Sequence, residues 1–144
     1  MLGRDVAARP APAPIALEMR GVGLDREGTR ILDGVDWGVE VGQHWVVLGP
    51  NGSGKTSLLR IASLYTHPSR GEVAVDGEWL GRTDVRSLRR RIGLASPAFG
   101  DLLRPQLTAT EVVMTARNAA LEPWWHTYDE SDREQARVLL DRFG

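Results

Sequence analysis

Eight residues lying between two apolar segments constrain this chain more than any other feature: Gly49-Pro50-Asn51-Gly52-Ser53-Gly54-Lys55-Thr56, which satisfies G-x-x-x-x-G-K-[ST]. Ahead of them, Trp45-Val46-Val47-Leu48 is a short continuous apolar run of the kind found where a strand is covered on both faces. Behind them, Leu58, Ile61, Ala62 and Tyr65 recur at helical spacing, and Pro68 closes the segment. The predicted unit is strand, loop, helix, the context this motif needs. The residue types explain what such a loop can do. Glycines let main-chain N–H groups converge on phosphate oxygens, because a Cβ would block both the approach and the required φ values. The helix points its N-terminus at the same charge. Lys55 is expected to reach the β- and γ-phosphates of a bound nucleotide, and the Thr56 hydroxyl to ligate Mg2+. Composition adds one argument: of the 18 basic residues, 17 are arginine and Lys55 is the single lysine. A chain that uses arginine elsewhere keeps a compact, flexible ammonium at this place. The plainer reading, a glycine-rich turn with an incidental lysine, fits these neighbours poorly.

The 144 residues, 42% of them hydrophobic, suffice for one modest domain with its own core, so a disordered chain is not expected. A formal net charge of -1 gives no overall pull toward nucleic acid or anionic lipid. Cysteine is absent, which excludes disulfides and thiolate metal sites, and no apolar run reaches bilayer-spanning length. Residues 1–14, with Ala-Arg-Pro-Ala-Pro-Ala-Pro, read as a disordered Ala/Pro tail rather than a secretory signal.

Along the chain, Ile15, Leu17 and Met19 alternate with polar or small residues, and the apolar phase then slips across Gly21 to Val22 and Leu24, predicting a strand with a bulge. A turn at Glu27-Gly28 leads to a half-buried antiparallel strand carrying Val35, Trp37, Val39 and Val41. Downstream, 72–75, Asp76-Gly77 and 78–80 read as a hairpin. A short basic helix over 84–90 and a buried strand over 92–95, stopped at Ser96-Pro97, should follow. Two capping boxes, Thr108 with Glu111 and Ser131 with Glu134, predict helices over 108–121 and from 131 onward. Val138-Leu139-Leu140-Asp141 therefore belongs to a helix, despite its likeness to an apolar strand ending in aspartate. His44, His67 and His126 lack ligand spacing and read as surface or turn residues.

The order of these blocks resembles the ABC transporter ATP-binding (ATPase) family over nearly everything after the tail. Ile31-Leu32-Asp33-Gly34-Val35 is similar to that family's "iL.dvs" run, and Gly42 to Thr56 to its "Ge...liGpNGsGKst" block. Gly71 to Gly77 resembles its "G.v.idG" hairpin, and Leu88 to Leu94 the entry of its Q-loop. The resemblance implies an α/β fold, a P-loop NTPase core with an antiparallel β subdomain on the N-terminal side and the start of a helical subdomain. On this reading 15–144 is the N-terminal part of a nucleotide-binding domain. Gly49, Pro50, Asn51, Gly52, Ser53, Gly54, Lys55, Thr56 and Ser57 bind ATP, Lys55 is catalytic and Thr56 holds Mg2+. The signature motif, the Walker B aspartate with its glutamate and the switch histidine are expected beyond Gly144, so the chain as given should bind ATP without hydrolysing it. The implied partners are a second ATPase subunit in a head-to-tail dimer and a membrane permease, placing the protein peripherally on the cytoplasmic face of the membrane.

The departures bear on mechanism. Pro97 stands where the family's Q-loop glutamine is expected; Gln106 nearby reads as a solvated loop residue. This divergence is similar to that of molybdate-associated bacterial ABC ATPases. Arg26 falls where the family's adenine-stacking aromatic is expected, and either a stacking guanidinium or a surface turn residue fits. Trp124-Trp125 reads as a pair packed under a loop rather than a permease contact. Arg82, Arg86, Arg89, Arg90 and Arg91 read as a solvated face, so nucleic acid is not an expected partner. Two alternative functions remain, a soluble ABC-type ATPase acting on nucleic acid or ribosomes and a P-loop nucleotide kinase; the antiparallel start argues against the latter.

Overall fold

Two strands separated by Glu27-Gly28 dominate the first half of the chain, and both residues of that turn take positive φ (49° and 78°), matching the right-handed twist of a tight hairpin. The structure, a computed structural model, describes residues 13–143 apart from the side chains of 98 and 99, so the predicted tail falls outside it except for its last two residues. Within that pair, the Pro14 carbonyl accepts from Val41 N at 2.8 Å. The chain divides into two units: Met1–Leu58 with Pro68–Trp79, and Leu59–His67 with Leu80–Gly144.

The first unit holds a four-stranded antiparallel sheet in the order β2-β1-β3-β4, built from β1 (Ile15–Arg26), β2 (Thr29–Glu40), β3 (Arg70–Val75) and β4 (Glu78–Trp79). The expected bulge is present. Met19 faces Trp37 while Val22 faces Val35, leaving one extra residue on β1 around Gly21, whose φ is 57° and whose N–H donates to Asp36 Oδ1 at 2.7 Å. Between Val35 and Leu32 the surplus changes strands: Leu24 faces Leu32, so β2 carries the extra residue at Asp33-Gly34, with Gly34 at φ 60°. Another falls at Ile31, since Asp25 faces Arg30. β2 is thus twice irregular next to its first turn. Its remaining residues alternate half-buried and exposed as predicted. Met19, Val22, Leu24, Leu32 and Val73 to Val75 form the buried centre of this unit.

One prediction fails here. Trp45 to Leu48 forms no strand among the described residues, and most of it is exposed: Val46 is 78% and Leu48 86% accessible, with Val47 half-buried. Apolar character predicted a covered strand, but the strand it requires on either side is not among those described. Trp45 lies edge-on to Trp37 at 5.9 Å and donates to Gln43 Oε1 at 3.0 Å.

In the second unit, the chain leaves α1 (Lys55–Ala62), which starts in the first, through a turn at Leu64, a left-handed residue with φ 62°. Its free carbonyl accepts two bonds from Arg89 of α2 (Val85–Arg89), from Nε at 2.9 Å and Nη2 at 2.5 Å, and the same guanidinium lies 5.0 Å from the Tyr65 ring centre. Arg89 is therefore a packing residue that holds the turn after α1, not part of a solvated basic face. Residues 92–95 form no strand, another correction with the same cause as at 45–48. Pro97 opens a 3-10 turn, Pro97–Leu102, with no side-chain cap from Ser96.

The Thr108 capping box closes in both directions ahead of α3 (Ala109–Thr115): Glu111 N donates to Thr108 Oγ1 at 3.3 Å, and Thr108 N to Glu111 Oε2 at 2.8 Å. The helix stops earlier than predicted, passing through a 3-10 turn to Ala119 at φ 48°. We expect Thr108→Ala to destabilise this unit by about 1 kcal/mol, read as a shift in the denaturant midpoint; an unchanged midpoint would show the box to be ornamental. The last helix, α4 (Glu130–Phe143), is capped by Asp129 rather than Ser131. Asp129 Oδ1 accepts from Asp132 N at 3.0 Å and Asp129 N donates to Asp132 Oδ2 at 3.0 Å, a reciprocal pair that Ser131 joins by donating to Asp129. Asp132, buried, also pairs with Arg117. Trp124 and Trp125, in the 3-10 turn Pro123–Trp125, are exposed, contrary to the packed reading. The Trp124 indole N–H donates to Glu122 Oε2 at 2.6 Å. Among the described residues no helix is long and apolar enough to cross a membrane, and no cluster of acidic or histidine side chains suits a metal ion.

Candidate phosphate-binding loop

The glycine loop lies wholly in the first unit and leads into α1. Pro50 O accepts from Ser53 N at 3.3 Å, forming a turn whose third residue, Gly52, sits at φ 82°. Gly49 approaches Ser53 so closely that a Cβ would stand 2.8 Å from Ser53 Oγ. At Gly54, with φ 89°, a Cβ would meet Leu32 Cδ2 at 2.8 Å and the Ile31 carbonyl oxygen at 3.0 Å. This glycine has two reasons to lack a side chain, its backbone angle and the wall of β2 behind it. Gly54 O then accepts from Leu58 N at 2.8 Å, closing the first turn of α1.

Lys55 curls back over the loop, its ammonium donating to Gly49 O at 2.8 Å and Pro50 O at 2.6 Å. The structure thus places the lysine beside the exposed backbone of Pro50 to Ser53, where the motif requires a cation. Thr56 is exposed in the first turn of α1 and Ser57 half-buried after it. A single hydroxyl suits Mg2+ only as one oxygen among several, with phosphate and water oxygens completing the six the ion prefers; Thr56 fits that limited role. Arg26 is exposed at the last rung of β1, opposite Thr29, and the loop's hydrogen bonds do not reach it.

Behind the loop, β2 is held by ion pairs that the sequence did not reveal. Arg70 Nη1 contacts Asp25 Oδ2 at 2.5 Å and its Nη2 contacts Asp33 Oδ1 at 2.7 Å, while Arg30 also pairs with Asp33 at 3.2 Å. The Arg70 hydrogen bond, with help from Arg30, holds the Asp33 carboxyl below its ordinary pKa of 3.8. Three other carboxyls are lowered likewise: Glu111 by the Thr108 backbone, Glu122 by the Trp124 indole and Arg104, and Asp129 by Ser131 and the Asp132 backbone. Each has a lower pKa folded than unfolded. Each therefore favours the fold above the unfolded values, 3.8 for aspartate and 4.5 for glutamate, and loses that contribution as pH falls through the lower folded values. We expect the melting temperature to drop as pH is taken from 6 to 3; equal melting at both would contradict these shifts.

Comparison with known proteins agrees with this geometry. The family model described as ABC transporter matches residues 32–144. An uncharacterized ABC transporter ATP-binding protein of Bacillus subtilis (strain 168), YlmA, is 37% identical over 129 residues, which is 89% of this chain and 48% of that protein. A putative ABC transporter ATP-binding protein of Streptococcus mutans is 30% identical over 128 residues, 89% of this chain and 49% of its own length. The chain thus spans about half the length of these relatives. The dimeric structure of a post-hydrolysis state of the ATP-binding cassette MJ0796 bound to ADP and Pi superposes with a TM-score of 0.67 at 25% identity, covering 87% of this chain and 56% of that one. A match that begins on β2 at Leu32 and carries through the glycine loop to residue 144 assigns the chain: it belongs to the ABC transporter family.

Proposed function

We propose that this chain is the nucleotide-binding part of an ABC transporter ATP-binding subunit, and that Gly49 to Ser57 hold the phosphates of ATP. The observation that carries the reading is the single lysine lying over a loop whose glycines, at 52 and 54, occupy angles only glycine adopts freely. Main-chain N–H groups of the loop and the start of α1 bind the phosphate oxygens, and Lys55 exchanges its two carbonyl partners for the β- and γ-phosphates. Bound Mg2+ would neutralise phosphate charge, with Thr56 as its protein oxygen. In a complete subunit the reaction is in-line attack of water on the γ-phosphate, and Lys55 stabilises the charge that develops. No block of residues 1–144 matches the family's signature or its water-activating carboxylate, so we read this chain as binding ATP without turning it over. A second ATPase subunit and a membrane permease are the partners this role calls for, at the cytoplasmic face of the membrane. The nucleotide-kinase and nucleic-acid readings are not favoured, since the relatives are ABC transporter proteins and Arg89 is spent on packing.

Because Lys55 is the only ε-amine, acetylation read by mass spectrometry reports on this one side chain. Saturating ATP with Mg2+ should slow Lys55 acetylation at least ten-fold and give heat in calorimetry. Unaltered labelling together with no heat of association would end the proposal.

A further inference from the structure

Arg70 begins β3, opposite Gly23 on β1, and its side chain runs across that glycine: a Cβ on Gly23 would stand 2.5 Å from Arg70 Nε and 2.6 Å from Cζ. The route delivers both prongs of the guanidinium to carboxylates of different strands, Asp25 near the end of β1 and Asp33 in the β2 bulge. That bulge is where the ladder is weakest, with extra residues at Asp33-Gly34 and at Ile31. The next residues along β2, Leu32 and Ile31, are the atoms against which Gly54 rests. One short stretch, 31–33, therefore bears the clamp on one residue and the loop on its neighbours. A bulge without a full ladder needs another restraint, and a planar fork supplies direction to two acceptors at once.

We propose that Arg70 is a positioning residue for the phosphate loop, fixing through Asp33 the β2 wall that sets the conformation of Gly54 and the first turn of α1. Its importance for affinity rests on the nucleotide reading given above, but its effect on the loop does not. Three variants separate the clamp from general stability: Arg70→Met removes the fork, Asp33→Asn weakens its acceptor, and Gly23→Ala keeps every charge while blocking the path. Hydrogen exchange in the nucleotide-free chain gives the first readout. Amides of 49–58 should exchange at least five-fold faster in each variant, while the β1–β3 ladder around Leu17 and Val75 keeps its protection. Affinity for ATP with Mg2+, by calorimetry, gives the second: about ten-fold weaker in Arg70→Met and Gly23→Ala, with Arg70→Met/Asp33→Asn no worse than the stronger single change. Arg70→Lys should recover only part of the loss, since an ammonium cannot reach both carboxylates as a fork does. Unchanged loop exchange, or a rise shared equally by the ladder, overturns the inference. If the loop responds but the unmodified chain binds no ATP, the positioning role stands and the nucleotide reading falls.

Discussion

Lys55→Ala is expected to weaken ATP binding on the order of 100-fold while leaving the fold intact. The estimate comes from two charge-assisted hydrogen bonds to phosphate, which together amount to about 3 kcal/mol, or two tenfold steps in affinity. The fold should survive because the lysine's partners are the carbonyls of Gly49 and Pro50, both exposed, and water replaces the ammonium there. Lys55→Arg is the informative companion. It keeps the charge but brings a planar, wider head into a space bounded by two carbonyls of adjacent residues, so binding about ten-fold weaker than the original is expected. Calorimetry with ATP and Mg2+, beside circular dichroism to check folding, decides the matter. A folded Lys55→Ala protein with the original affinity would remove the lysine from any phosphate site.

Gly71→Ala should be the most damaging single methyl in the first unit. Gly71 holds φ 85°, and a Cβ there would stand 2.5 Å from Gly21 O and 2.6 Å from Arg20 O. Those are backbone atoms of the β1 bulge, and they cannot swing aside as a side chain could. Left-handed strain on alanine contributes about 1 kcal/mol, and displacing two strands at their closest approach raises the total to about 3–5 kcal/mol, a large part of a small domain's stability. Gly77→Ala makes the control. It shares a positive φ of 78°, in the hairpin turn with Asp76, but its Cβ would enter open space, so only the backbone strain of about 1 kcal/mol applies. Thermal melts of the two variants should differ by many degrees. Similar melts would mean that the approach of β3 to the bulge is looser than its geometry implies.

Local signals were readable from the sequence wherever a residue's neighbours along the chain decide its structure. The slip of apolar phase at Gly21, the turns at Glu27-Gly28 and Asp76-Gly77, the Thr108 box and the strand-facing alternation of β2 all formed as expected. The turn of the glycine loop follows from local residues too, with Gly52 and Gly54 at positive φ, but Ile31 and Leu32, which crowd Gly54 from β2, could not be read from the loop's own sequence. Apolar runs were less informative: Trp45 to Leu48 and Ile92 to Ala95 announce a face that favours cover, but not what covers it. At the start of α4 two caps competed within one turn, and the aspartate prevailed because Asp132 could return its bond. The ion pairs of Arg70 join residues 45 and 37 positions apart, and only the fold brings them together. Arg89 is likewise told apart from the arginines around it only by the fold, which brings it to the carbonyl of Leu64.

The loop is tethered unevenly. Toward the C-terminus it is gripped by the wall at Gly54 and by a helical turn, whereas Trp45 to Leu48, which lead into it, pair with no strand among the described residues. A side chain larger than leucine at position 32 would therefore press on the loop from its gripped side, through Gly54, before it reached the leading residues.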